Sequence, residues 1–530
     1  MGFWAKSIAI CKCLCENGKQ SIRKVADQTG FSKSSVQRHK QAMERRNLYP
    51  ESWFWETQEG RTWLVRLVVA TIYTFGFQRG VGTQTMSTYF VRLHLEEQVG
   101  CSPNALQRMM KRLEPLILET AKTWESEASA TGEVRDLIGA VDETFLEYMM
   151  LVLMDLHSGY ILLEEVAEDR TYTTWKALVD QRLDTLKCGV RYLVSDRAKA
   201  LIQLAEKGFG CLSIPDFFHL VHELVKSYSL SIGRRLKQSQ KALEKAEAVL
   251  EKAQRRSPEG AATALAIGEV EALRQEVGRW EGVLSTYRHH LLSLSLAMHP
   301  FDIDESKVQN SKQVQSRLQA PVSAIEALVR EHDLPARPEA IHKVNKQLPV
   351  LAALVDFWWQ GVEADLEPMA LSPTWHEWAC ELLLPLVYWQ YQVDHTRCAR
   401  RRARMQEILE ALRLEFVPHA ITQQLSPQVL ADWQGWATEQ VKAFQRTSSA
   451  VEGRNGRLSG MHHNQRGLPK ERYPVWTVVH NFDCRASDGT TPAARFFSRD
   501  FPDLFETVLA EVTSGVGLTL GELPRPRRQT

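Results

Sequence analysis

Apolar positions repeat with two different periods along this chain, and the changes of period divide it into helical and strand-forming stretches. Apolar residues three or four apart predict helices over residues 21–46 and again over 52–125. Between 136 and 214 the apolar residues come instead in short runs bounded by turn residues, which is typical of strands. From 217 to 447 the helical spacing returns almost without interruption. We therefore expect an α/β core that helices precede and that a large all-α segment interrupts.

The first helical stretch predicts a helix-turn-helix within residues 1–50. A small Ala26 falls where two helices cross closely, Gly30 takes the turn, and Val36 faces the core. Ser32 would cap the second helix. The outward side chains of that helix are candidates for contact with DNA phosphates or base edges, namely Lys33, Ser34, Gln37 and Arg38. A helical hairpin that only packs is the alternative. Residues 51–130 are expected to form a second helical region for DNA binding or dimerisation.

Three apolar runs predict an antiparallel meander of strands over 137–142, 147–155 and 160–166. A helix is expected to follow over 171–186. The remaining elements are a strand over 190–194, another helix and a last apolar run over 211–214. The predicted order is βββαβαβ, a mixed sheet whose first part occupies residues 131–216.

Leucines seven residues apart mark the start of the all-helical insertion, which we assign to residues 217–445. Leu236, Leu243 and Leu250 keep this spacing, and a Ser-Pro-Glu-Gly break at 257–260 precedes a second apolar series. The pattern predicts a coiled-coil hairpin over 234–292. A spacer or a dimer contact explains such a hairpin better than contact with DNA. The core is expected to resume over 446–515, and 516–530 is a basic tail.

Composition places the protein among ordinary globular chains. Of its 530 residues, 44% are hydrophobic and 24% are charged, with a formal net charge of +1, which excludes disordered and fibrous classes. The best apolar run, 64–75, is too short for a membrane span and contains Arg66. Nine scattered cysteines, without a secretory signal pattern, are typical of reduced thiols in the cytoplasm. Because the cations gather in local clusters, the neutral overall charge does not exclude a nucleic-acid partner.

Three acids fall where phosphodiester chemistry would need them. The βββαβαβ order is that of the ribonuclease H-like fold, in which the strands ending at Asp142 and at Asp196 are neighbours. Glu452 and Asn455 are three apart, so one face of a helix presents both. Clustered carboxylates repel each other unless divalent cations lie between them. Asp142, Asp196 and Glu452 are therefore candidate ligands for two Mg²⁺ or Mn²⁺ ions per active site, in a phosphoryl transfer without a covalent enzyme intermediate. Cations near Glu452 would hold the cleaved strand, and the candidates are Arg454, Arg457 and Arg466.

These segments together resemble a DDE transposase over roughly residues 20–500. The resemblance rests on GAVDET at Asp142, VSDRAKAL at Asp196 and SSAVEGRNGRLS at Glu452, with the helix-turn-helix before them and the helical insertion between them. It implies that the two aspartates and the glutamate are the catalytic acids. The segment IPDFFHLVHEL matches the Asp-x2-His motif of transposases with helical insertions, which implies Asp216 as an accessory residue and His219 as a catalytic one. Rival acids are Glu471 for the third position, and Glu143 and Asp155 near the first strand.

The resemblance implies double-stranded DNA as partner, both the terminal inverted repeats of a mobile element and target DNA. Two ends must meet during transposition, so a homodimer or larger assembly is expected. Nucleotide-binding loops, nucleophile elbows and metalloprotease helices are missing from the sequence, so a nucleotide cofactor is not expected. Two alternatives stay open: a catalytically silent transposase that acts as a DNA-binding regulator, and a related nuclease or integrase.

Overall fold

A computed structural model describes residues 3–16, 20–55, 57–96, 98–130, 134–335, 337–465 and 469–513. Its first three helices are α1 (Phe3–Glu16), α2 (Ile22–Thr29) and α3 (Lys33–Leu48). Between α2 and α3, Gly30 adopts the left-handed conformation at φ 70°, which glycine reaches without steric penalty. Val25, Ala26 and Val36 are buried against Ile10 of α1. The predicted helix pair and its turn are therefore confirmed.

A helical layer follows the first three helices. Its helices are α4 (Ser52–Trp55), α5 (Gln58–Thr71), which continues into a π-helical turn (Ile72–Gln78), α6 (Thr83–Arg92) and α7 (Pro103–Ser129). Ser102 caps α7 by accepting a hydrogen bond from the amide of Ala105. The connection from α6 to α7 spans ten residues, 93–102, which is longer than the three or four of a helix-turn-helix.

The middle of the chain forms one five-stranded mixed sheet. Its strands are β1 (Arg135–Phe145), β2 (Met149–Asp155), β3 (Ile161–Val166), β4 (Cys188–Ser195) and β5 (Leu212–Pro215). Their order across the sheet is β3-β2-β1-β4-β5, with β1–β2 and β2–β3 antiparallel and β1–β4 and β4–β5 parallel. Helix α8 (Tyr172–Leu186) crosses from β3 to β4, and α9 (Lys199–Gln203) with a π-helical turn (Leu204–Phe209) leads to β5. The predicted order of strands and helices is confirmed.

The insertion after β5 begins with two long helices. Helix α10 (Phe217–Arg256) and helix α11 (Ala261–Ala297) pack against each other as a hairpin. The chain reverses at 257–260, the break that the sequence predicted. The rest of the insertion consists of α12 (Ser311–Glu331), α13 (Pro338–Leu366), α14 (Pro373–Glu377), α15 (Leu384–His395), α16 (Ala399–Phe416), α17 (Ala420–Gln424) and α18 (Pro427–Lys442).

The chain then returns to the sheet through four helices, α19 (Ser449–Gln465), α20 (Tyr473–Asp483), α21 (Pro492–Phe497) and α22 (Leu504–Thr513). Because side chains alternate along a strand, the two faces of the sheet have separate cores. One face, with Ala140 and Val194, packs on the inserted helices. The other, with Val141 and Leu193, packs on α7, α8 and α20. The architecture is thus an α/β core joined to a large helical region. Within the described ranges, no helix is both long and apolar enough to cross a membrane.

Candidate functional site

The two predicted aspartates lie at the same edge of the sheet. Pairing of β1 with β4 ends at Ala140 opposite Val194, so Asp142 and Asp196 each come two residues beyond the last pair. Asp142 remains inside β1, where it lies opposite Val152 of β2. Strand β4 ends at Ser195, so Asp196 lies just beyond the sheet, and Arg197 after it takes a left-handed φ of 62°. Asp142 is consequently half-buried, whereas Asp196 is exposed.

Helix α19 brings Glu452 and Asn455 to Asp142. Its buried stripe consists of Val451, Arg454, Leu458 and Met461. Glu452 directly follows Val451 and Asn455 directly follows Arg454, so both lie along one side of this buried stripe. From there the Asn455 amide nitrogen donates a hydrogen bond of 2.9 Å to Oδ2 of Asp142, although the two residues are 313 positions apart. The face that the spacing of Glu452 and Asn455 predicted therefore points at the first aspartate.

Asp216 anchors the start of α10 beside this cluster. It follows β5, is 1% exposed, and caps α10 by accepting a hydrogen bond of 2.7 Å from the amide of Phe218. Its other oxygen accepts hydrogen bonds from Nδ1 of His219, at 2.8 Å, and from the hydroxyl of Ser448. The remaining ring nitrogen of His219 lies 3.6 Å from Oε1 of Glu452. Asp216 thus orients His219 toward Glu452 and fixes the residue that precedes α19. Ser448 was not predicted from the sequence.

Two groups of the cluster, Asp142 and His219, have raised pKa values. Burial, and then the charge of Glu452, raise the pKa of Asp142 to about 7. The hydrogen bond to Asp216 raises the pKa of His219, with the charges of Asp216, Asp142 and Glu452 adding to it against the opposing effect of burial. Oδ1 of Asn455 is buried and accepts no hydrogen bond from any residue that the structure describes. Carboxylate and amide oxygens are ligands that suit a hard divalent cation. A cation here would also relieve the repulsion between the carboxylates of Asp142 and Glu452.

The three acids are not gathered at metal-ligand spacing. Among the described residues, the one group of three whose donor atoms lie within 4.8 Å of one another is Glu363, His376 and Cys380, far along the chain from these acids. The charge of Asp196 acts instead on Glu143, whose pKa is raised by burial and then by Asp196. Glu143 points to the opposite face of β1 and pairs with Arg170 at 3.3 Å. Binding a cation through Asp142, Asp196 and Glu452 together would therefore require their side chains to move.

The rival acids occupy different environments. Asp155 is 4% exposed and accepts hydrogen bonds from the amides of Ile138, at 3.1 Å, and Ser158, at 2.8 Å, so it serves the turn after β2. Glu471 is exposed in a short 3₁₀ turn (Lys470–Arg472). These positions favour Asp142 over Asp155 and Glu452 over Glu471.

The arginines near Glu452 that we predicted to bind DNA lie in different environments. Arg454 is 4% exposed and makes a two-pronged ion pair with Glu164 of β3, at 2.8 and 2.6 Å. The expectation that Arg454 binds DNA is therefore wrong, because its guanidinium is buried and already paired. Arg457 is half-buried and donates a hydrogen bond of 2.9 Å to the carbonyl of Gln78. Arg466 lies outside the described residues.

Helix α3 presents the other predicted DNA-binding residues. Lys33, Ser34 and Arg38 are exposed and Gln37 is half-buried, while Val36 on the inner face is fully buried. The hydroxyl of Ser32 accepts a hydrogen bond of 3.3 Å from the amide of Ser35 at the start of the helix. The outward residues thus lie where the second helix of such a pair can enter a DNA groove.

Replacing Lys33 and Arg38 together by alanine is expected to weaken DNA binding and to reduce its salt dependence. Each lost phosphate contact lowers the slope of log K against log salt by about 0.9, so the double variant should lose nearly two units. Lys122→Ala, an exposed lysine on α7, is the control and should leave the slope unchanged. Fluorescence anisotropy over a salt series measures both. An unchanged slope in the double variant would contradict a role of α3 in phosphate contact.

The model of a family of unknown function (DUF6399) matches residues 380–530, roughly a quarter of the chain. The match includes α19 with Glu452. It leaves out β1, which carries Asp142, and β4, which Asp196 directly follows. No curated protein matches the sequence.

Proposed function

We propose that this protein is a DDE-type DNA transposase, which binds the ends of a mobile element and catalyses metal-dependent strand cleavage and strand transfer. The observation that carries the proposal is the convergence of Asp142, Glu452, Asn455 and His219 from three separate segments of the chain. They meet at one edge of a mixed sheet, beside the strand end that carries Asp196.

The topology supports the same proposal. An antiparallel β1–β2–β3 meander with β4 and β5 added in parallel beside β1 agrees with a ribonuclease H-like core. The helical region lies between β5 and α19, so that the last acid returns to the sheet after a long insertion. This is the arrangement that the transposase resemblance implies.

Asp142 and Glu452, with Asp196 from the end of β4, would hold the divalent cation. When bound, the cation supplies a Lewis acid for the scissile phosphate and lowers the pKa of the attacking water or 3′-hydroxyl. Asn455 fixes the Asp142 carboxylate through its 2.9 Å hydrogen bond. His219, held by Asp216 and with a raised pKa, carries a proton at neutral pH more readily than a free histidine. It can donate a hydrogen bond to a phosphate oxygen and so orient the strand.

Metal-dependent cleavage of a duplex that carries the genomic sequence flanking the gene tests the proposal. Wild-type protein should nick this DNA with Mg²⁺ or Mn²⁺, and Glu452→Gln and Asp196→Asn should not, while binding by α3 persists. Glu471→Gln is the matched control, an exposed glutamate of the same segment, and should cleave normally. Circular dichroism checks that each variant is folded.

Different results point to different alternatives. DNA binding without cleavage by the wild type would favour a DNA-binding regulator. Cleavage without joining of the released 3′ ends would favour a nuclease. Cleavage that persists in Glu452→Gln but is lost in Glu471→Gln would move the third acid to Glu471.

A further inference from the structure

A second cluster of metal-ligating side chains lies in the helical insertion. Glu363 is in the last turn of α13, His376 is in α14, and Cys380 is in the π-helical turn (Trp378–Leu383) that joins α14 to α15. Nε2 of His376 lies 2.9 Å from Oε2 of Glu363 and 3.9 Å from Sγ of Cys380. One ring nitrogen therefore faces both a carboxylate and a thiol.

These separations are close to those of a tetrahedral zinc site. Zinc–sulfur bonds of about 2.3 Å and zinc–nitrogen or zinc–oxygen bonds of about 2.0–2.2 Å place sulfur and nitrogen about 3.6 Å apart, and nitrogen and oxygen about 3.4 Å apart. The observed 3.9 and 2.9 Å lie on either side of these values. Shifts of a few tenths of an ångström in side chains that are 40% (His376) and 55% (Glu363) exposed would accommodate the ion.

The surroundings favour a cation. The three side chains line a cleft of about 1250 Å³, whose wall also carries Glu367, Glu377 and Glu381. Among the residues that the structure describes, no lysine or arginine lines it. Binding of a metal ion through Cys380 would release the thiol proton to solvent.

The same cleft contains unsatisfied buried polar atoms. Gln309 is 3% exposed, and within the described ranges its Oε1 accepts no hydrogen bond. The indole nitrogen of Trp359, also on the wall, is buried and has no hydrogen-bond partner in the described part of the chain. Buried polar groups are normally hydrogen-bonded. These two atoms therefore indicate that the cleft can bind polar groups.

We propose that Glu363, His376 and Cys380 form a zinc site whose fourth coordination position opens into this cleft. A thiolate and an imidazole are ligands that zinc prefers, whereas Mg²⁺ prefers oxygen. The site therefore differs in metal preference from the oxygen-rich cluster at Asp142. It joins the end of α13 to α14 and the π-helical turn after it, across the connection that follows Leu366, where Ala370 takes a left-handed φ of 46°. The proposal does not depend on the transposase function.

Cobalt substitution in the full-length protein tests the site. Metal-stripped protein carrying Asp142→Asn, which removes a ligand from the oxygen-rich cluster, is titrated with Co²⁺ and then with Zn²⁺. One equivalent of Co²⁺ should produce thiolate-to-cobalt charge transfer and the intense visible bands of a tetrahedral ion, and Zn²⁺ should displace it.

Cys380→Ser should abolish the charge-transfer band and weaken zinc binding by about a hundredfold or more, beyond the 10–100-fold loss typical of an outer-shell partner. His376→Gln should weaken it similarly. Cys398→Ser is the matched control, because hydrogen bonds from Arg401 lower the pKa of Cys398 and make it the thiol more prone to adventitious binding. A band that survives in Cys380→Ser, or that is lost in Cys398→Ser, or the lack of any band in the parent protein overturns the proposal.

Discussion

Replacing Asp142 by asparagine is expected to abolish DNA cleavage and, at the same time, to stabilise the metal-free protein above pH 7. The loss of cleavage should be about 10³-fold or more, the order found when a central group of an active site is removed. The substitution keeps the shape of the side chain and an oxygen that can accept the hydrogen bond from Asn455. The two effects have opposite signs because the carboxylate that the proposed chemistry needs is destabilised by burial and by the charge of Glu452.

The stabilisation follows from the raised pKa. Asp142 ionises near pH 7 in the folded protein and near 3.8 in the unfolded chain. Between these values the folded form binds more protons, so stability falls as pH rises from about 4 to 7 and stays low above 7. Three pKa units amount to roughly 4 kcal/mol, and the partial exposure of the side chain reduces this to about 2–4 kcal/mol.

Thermal melts in EDTA at several pH values measure this effect. Asp142→Asn should melt a few degrees above wild type at pH 8, and the difference should shrink toward pH 4. Added Mg²⁺ should raise the melting temperature of wild type more than that of the variant. Asp136→Asn, an exposed aspartate at the start of the same strand, should show neither effect. If Asp142→Asn is less stable than wild type at pH 8, the ionised Asp142 carboxylate does not destabilise the folded protein as we expect.

Breaking the Arg454–Glu164 pair is expected to destabilise the core by about 3–5 kcal/mol, the usual loss when one partner of a buried ion pair is removed. The two side chains are 2% and 0% exposed. Burial by itself would raise the pKa of Glu164, but the charge and hydrogen bonds of Arg454 outweigh it and lower that pKa. Thr477 of α20 also donates a hydrogen bond of 2.6 Å to Glu164. In Arg454→Met the carboxylate would remain buried, and the Thr477 hydroxyl would be its one remaining side-chain hydrogen-bond partner among the described residues.

Urea unfolding of Arg454→Met, Glu164→Met and the double variant measures the coupling. The double variant should recover much of the stability that either single variant loses, because no unpaired charge is left inside. Arg457→Met is the matched control on the same helix and should lose less, since that half-buried guanidinium binds neutral acceptors. If Arg454→Met unfolds like wild type but binds DNA more weakly, Arg454 contacts DNA and does not stabilise the core.

The pair also explains how α19 holds its acid in place. Arg454 lies between Glu452 and Asn455, and its bond to β3 fixes the rotation of the helix about its axis. Any loosening of α19 should therefore move Glu452 away from Asp142. Reduced cleavage in folded Arg454→Met would reflect this loss of positioning. The guanidinium of Arg454 is hydrogen-bonded to Glu164 and not to Glu452 or Asp142.

The sequence by itself determined the features that depend on neighbours within one or two turns. The Gly30 turn, the strand runs ending near Asp142 and Asp196, and the reversal at 257–260 follow from periodicity, turn chemistry and capping, all of which act over a few residues. The shared face of Glu452 and Asn455 follows for the same reason. The pairing of Asp216 with His219, three positions apart, is also local.

Only the tertiary structure decided which side chains meet over long distances and which are buried. Ser448 reaches Asp216 across 232 positions and Arg454 reaches Glu164 across 290, and pattern alone assigns no partner at such separations. Arg454 was mistaken for a DNA contact because a basic cluster does not reveal which arginine faces inward. The spacing of Val451, Leu458 and Met461 contained that information, since Arg454 falls in their stripe. His376 and Cys380 are four positions apart and share a helix face, which the sequence shows. Only the fold brings Glu363 to them, because the connection after α13 packs α14 against the end of α13.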